Sequence, residues 1–158
     1  MLFGRRRRWD PQPTARAAVL LASSGPPFSR AAVRRAHELA AGEPVAVLSI
    51  LKIYGSSFGL PNPGLMPTRR EREEQMANVG RAIKDLERMG GTVDGQVAAT
   101  RSAGRMIAKV ARARSVRVVV MDSQPLTGMR KIIEAELTGI VKRRLKEGTT
   151  LEVVAAKL

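Results

Sequence analysis

The stretch "VRVVVMDSQPLTGMRKIIEAEL" (116–137) runs from an apolar strand through a tight turn into a helical pattern. In parallel α/β proteins that order of elements points backbone N–H groups and the positive end of a helix dipole at the turn, where phosphate is held. Thr127, Gly128 and the helix starting near Met129 would hold an anion by backbone donors, with Ser123 close by in the turn and Arg130 or Lys131 adding charge. Two residues oppose this. Asp122 is itself an anion, and Pro125 has no N–H to give. The same residues read as a disabled phosphate site, as a site for some other anion, or as a plain turn and helix start.

A second constellation is cationic. Arg101, Arg105, Lys109 and Arg112 fall within roughly 80° of one another at about 100° per residue, on one face of a single helix. No acid sits among them, so the stripe suits a polyanion as well as it suits a solvated face. "MLFGRRRRW" places Arg5, Arg6, Arg7 and Arg8 beside Leu2, Phe3 and Trp9, a combination that fits RNA backbone and base stacking, or an anionic membrane surface, or a solubilising arm. "KRRLKEG" (142–148) puts cations at a helix C-terminus, where they offset the dipole. His37 stands next to Glu38 with no nucleophile or relay partner in view, and Asp122 is a single unsupported carboxylate. No catalytic residue is assigned, and the protein is expected not to be an enzyme.

Composition narrows the classes further. The 158 residues hold no cysteine and one histidine, which excludes disulfides, thiolate chemistry and any metal site built from several His ligands. The lack of cysteine fits a reducing cytosol, so a cytoplasmic location is expected. No apolar run approaches the roughly 20 residues that span a bilayer. The first residues carry their charges after a very short apolar piece, unlike a secretory signal. Lys and Arg number 28 against 14 Asp and Glu, a net charge of +14. The excess is six in residues 1–100 and eight in 101–158, so it is not confined to a tail. A field of that sign favours RNA or the ribosome, DNA, an acidic protein or an anionic lipid surface.

The elements that must position these residues follow from period and punctuation. "RAAVLLASSG" (16–25) and "PVAVLSILKI" (44–53) are continuous apolar runs, as expected of strands covered on both faces. Between them Ser29 N-caps a helix whose inner stripe is Ala32, Val33, Ala36, Leu39 and Ala40, ended by Gly42. Thr68 and Glu71 form a capping box for a helix over about 69–89. A weaker strand (91–100) precedes a helix capped by Ser102, with Met106, Ile107, Val110 and Ala111 inward. Strand 116–121, helix 128–148 and strand 150–158 complete a β-α-β-α-β-α-β-α-β order. That alternation specifies one domain (16–158) behind a flexible basic arm (1–15), with a five-stranded parallel sheet and helices on both faces.

The pattern resembles the universal stress protein family. "SSGPPFSRAAVRRAHELA" is similar to its opening strand, turn and first helix, and "ATRSAGRMIAKVARARSVRVVVMDS" lies without a gap on its third-strand end, helix and fourth strand. The resemblance implies a Rossmann-like (HUP) α/β fold with strand order 3-2-1-4-5 and a homodimer formed through the last strand. It also implies a nucleotide site, and here the chain departs from the pattern. ATP-binding members carry an Asp at the end of the first strand, where this chain has Ser24. The signature Gly-x2-Gly-x9-Gly-Ser/Thr falls on Asp122, Pro125, Ala135 and Glu136, so none of its glycines remains. Glycine permits the close N–H approach that phosphate oxygens need. The expectation is a binding or regulatory module that has lost its ATP site and uses no cofactor. Alternatives are a polyanion-binding stress factor, or an accessory subunit docked on an acidic protein or a membrane-associated complex.

Overall fold

The computed structural model describes residues 15–53, 66–123 and 129–155. Five strands alternate with four helices: β1 (Val19–Ser23), α1 (Arg30–Ala40), β2 (Val45–Lys52), α2 (Arg69–Arg88), β3 (Val93–Thr100), α3 (Ala103–Ala113), β4 (Val118–Ser123), α4 (Met129–Arg144) and β5 (Thr150–Ala155). All strand pairs are parallel and the order is β3-β2-β1-β4-β5. The expected architecture is therefore present.

The period-2 alternation of β-structure explains how continuous apolar runs serve two cores at once. Leu20, Leu48, Ile50, Val119 and Met121 point to one side, where Ile107, Val110 and Val141 of α3 and α4 cover them. Leu21, Val47 and Val120 point to the other, against Val33 and Ala36 of α1 and Val79, Ile83 and Leu86 of α2. Each fully buried aliphatic side chain contributes about 1.5–3 kcal/mol of hydrophobic stabilisation. The edge strands β3 and β5 are only partly covered.

Local signals hold with a few shifts. Ser29 accepts from the Ala32 N–H as N-cap, and the Thr68–Glu71 capping box closes in both directions. Helix α1 ends at Ala40, two residues before Gly42, with Ala41 in the left-handed region at φ 50° and Gly42 following at 87°. Leu39 and Met106 are half-buried, not fully inside. Ser102 stands at the N-cap of α3, but its side chain caps nothing; its own N–H donates to the Thr100 hydroxyl at 3.1 Å. Two glycines set the helix approach. A Cβ on Gly95 would lie 2.9 Å from Ile83 Cδ1 and collide with Val79, so α2 rests directly on β3. A Cβ on Gly104 would lie 2.7 Å from Ile140 Cγ2, so α3 touches α4 there.

One ionic contact lies in the interior. The Arg114 guanidinium, at the end of α3, is 1% exposed and donates to both carboxylate oxygens of Asp94 on β3, at 2.8 Å from Nη1 to Oδ1. Its Nε donates to the Ala15 carbonyl, which ties down the segment entering β1.

Candidate functional site

In a sheet ordered 3-2-1-4-5 the chain reverses direction of build between β1 and β4, and ligands of such folds bind beyond the carboxyl ends of those two strands. Ala22 and Met121 are register partners, so Ser23 and Ser24 leave β1 beside Asp122 and Ser123 of β4. The structure thus brings Ser24, Asp122 and Ser123 to one crevice. Thr127 and Gly128 lie outside the described residues, as do Arg5, Arg6, Arg7 and Arg8; Arg130 belongs to the first turn of α4.

The turn from β1 into α1 is built by its own polar groups. The Ser23 hydroxyl donates to the Pro26 carbonyl and accepts the Gly25 N–H at 3.1 Å. Gly25, at φ 136°, takes a backbone conformation that L side chains rarely adopt. From α2, the Gln75 amide donates to the Gly25 carbonyl at 2.8 Å and accepts from the buried Ser49 hydroxyl. Ser24 is half-buried, and among the described residues its side chain makes no hydrogen bond.

Asp122 has a definite task. Its Oδ2 accepts the Ser29 N–H at 2.8 Å and its Oδ1 accepts the Ser29 hydroxyl, which in turn accepts the Ala32 N–H at 3.1 Å. A carboxylate accepting such donors at a helix N-terminus is favoured by hydrogen bonding and by the dipole. The positive end of α1 is therefore already satisfied by an anion belonging to the chain itself. The sequence alone marks Ser29 as a cap and Asp122 as a charge near phosphate, and does not join them across 93 residues. The signal was present in the strand order, which sets the ends of β1 and β4 side by side.

Among the described residues the site holds no paired acid and base, since His37 sits elsewhere on α1, and no group of three His, Asp or Glu able to hold a metal exists among them. No helix among them is long and apolar enough to cross a membrane.

The cationic stripe is divided by the structure. Arg105, Lys109 and Arg112 are exposed on α3, opposite Ile107, Val110 and Ala111. Arg101 is not part of that helix, which begins at Ala103; it sits in the preceding bend. The cause is local: β3 runs on to Thr100, whose hydroxyl then bonds Ser102 in the bend that follows. Beside the crevice, an open groove of about 630 Å³ follows β5 and α1, lined by Ser29, Arg34, Arg35, Glu152 and Val153 among others. Arg35 bridges Glu152 and Glu38 there, and these bonds, Glu152 first, hold its guanidinium above the ordinary value.

The fold is shared with known proteins. A family model described as universal stress protein family matches residues 16–144. The structure of a universal stress protein from Archaeoglobus fulgidus is similar at TM-score 0.63 and 14% identity, over 90% of this chain and 95% of that one. The Archaeoglobus fulgidus protein in complex with dAMP gives 0.61 and 16%, over 89% and 98%. A universal stress protein in complex with cAMP gives 0.57 and 16%, over 90% and 99%. No curated protein matches the sequence.

Proposed function

The chain belongs to the universal stress protein family, and we propose that within it the protein is a non-enzymatic binding and regulatory module whose ATP site no longer accepts ATP. The observation that carries this reading is the Asp122 carboxylate at the carboxyl end of β4, bonded to Ser29 at the N-terminus of α1. Where a glycine would leave open backbone, Asp122 adds a charged side chain. At 4–6 Å and an effective dielectric near 20, each phosphate charge would meet a repulsion of about 3–4 kcal/mol. Ser24 offers no carboxylate at the end of β1, where ATP-binding relatives have one. The relatives solved with cAMP and dAMP carry single-phosphate nucleotides, so AMP is the informative second ligand.

Calorimetry with Mg-ATP tests the reading. No binding in the micromolar range is expected, for ATP or for AMP; a clear micromolar ATP isotherm would refute it.

The module works as a homodimer through β5. That strand is the sheet edge, its outer side has no partner strand among the described residues, and Val153 on it is 44% exposed. An edge of this kind is a template for a second copy.

A further inference from the structure

Arg105 shares a groove of about 420 Å³ with Ile140, Arg143 and Arg144. The groove exists because Gly104 lets α3 close on α4 at Ile140. Three guanidiniums from two helices thus face one space, and none of them forms an ion pair with a described residue. On the opposite face of the sheet the cations are mixed: Arg30, Arg34 and Arg72 form no ion pair with a described residue, while others do. Arg69, Arg70 and Arg88 on α2 each have a carboxylate neighbour on their own helix, at 3.2, 3.6 and 3.6 Å. Glu136, the described acid on α4, is exposed and pairs with none of the three.

The dipole of α4 accounts for Arg143 and Arg144 in its last turn, but not for Arg105. Arg105 lies in the first turn of α3, the positive end, which has no acid. Its charge is therefore placed against its own helix and toward the other two. Lys109 and Arg112 continue the row along α3, about 6 and 10.5 Å further on by helix rise. Those intervals approximate two and three base-pair rises of about 3.4 Å along a duplex axis.

We propose that this α3–α4 face binds the sugar–phosphate backbone of double-stranded nucleic acid. The lining has one apolar residue, Ile140, whereas a protein partner would need an apolar centre. Neither α3 nor α4 contains an aromatic residue, so the face has no platform for the base stacking that single-strand binders use. What remains is polar, cationic and suited to phosphates without base readout.

The test is fluorescence anisotropy of the full chain with labelled 20-base-pair DNA and RNA duplexes, their single strands, and polyglutamate, across a salt series. Five phosphate contacts give a log–log slope of about −4.5 on duplex DNA, hence a roughly 500-fold loss of affinity from 50 to 200 mM salt. R105Q/R143Q/R144Q should make the slope shallower by about 2.7, leaving a loss of roughly 12-fold. R105Q alone should change it by about 0.9, which keeps the test decisive if the triple variant folds poorly. R69Q/R70Q/R88Q removes the same charge from the other face and should leave the slope in place. Equal effects of the two triple variants would overturn the proposal, as would tighter binding of a single strand or of polyglutamate than of either duplex.

Discussion

Replacing Arg114 by methionine keeps an unbranched apolar stem and removes the one guanidinium that is buried among the described residues. Three partners lose their donor: both oxygens of Asp94 and the Ala15 carbonyl. Breaking a buried ion pair from one side costs about 3–5 kcal/mol, because the remaining charge stays without compensation. The Asp94 side chain is 23% exposed and regains some water, which puts the cost near the low end, about 3 kcal/mol. For a domain of this size each kcal/mol moves the midpoint by about 2–4 °C, so R114M should lower Tm by about 6–12 °C. Thermal melts followed by far-UV circular dichroism measure it, with R112Q as the exposed control expected to stay within about 0.5 kcal/mol of wild type. Adding Asp94→Leu to R114M removes the orphaned charge and should recover at least half of the loss. A drop below about 2 °C for R114M, or a double variant no better than the single, would refute the reasoning.

Other outcomes follow from the same contacts. Gly95→Ala places a methyl group against Val79 and Ile83, and the overpacking should cost about 1–3 kcal/mol, read as a lower urea midpoint with an unchanged slope. Val153→Lys puts a charge on the outer edge strand; light scattering should show a dimer for the wild type and a monomer for the variant, with secondary structure retained. A wild-type monomer at high micromolar concentration would contradict the proposed β5 interface.

Much of the fold is legible because its signals are local. Apolar runs such as "PVAVLSILKI" need covering on both faces, and Thr68 with Glu71 announces a helix start within four residues. What the sequence hides is pairing at a distance. Arg114 in "RARSVR" looks like its neighbours, and only the closing of β3 against the end of α3 makes it the buried one. Arg143 and Arg144 read as dipole partners of α4 until Gly104 brings Arg105 beside them. Arg101 fits the helical wheel, but periodicity does not say where a strand stops, and β3 extends to within three residues of α3. For the crevice, the loss of glycines was visible in the motif; that Asp122 is engaged by Ser29 depended on the strand order.

The measurement that bears most directly on the proposed loss of the ATP site is a titration of Mg-ATP into two proteins side by side. One is the wild type; the other carries Ser24→Asp, Asp122→Gly, Pro125→Gly, Ala135→Gly and Glu136→Ser, which return the residues of the binding signature. Circular dichroism first establishes that the variant is folded, since Ser29 loses its carboxylate partner. A flat wild-type isotherm and micromolar binding to the variant are expected. Micromolar binding to the wild type, or none to the folded variant, would contradict the proposed loss.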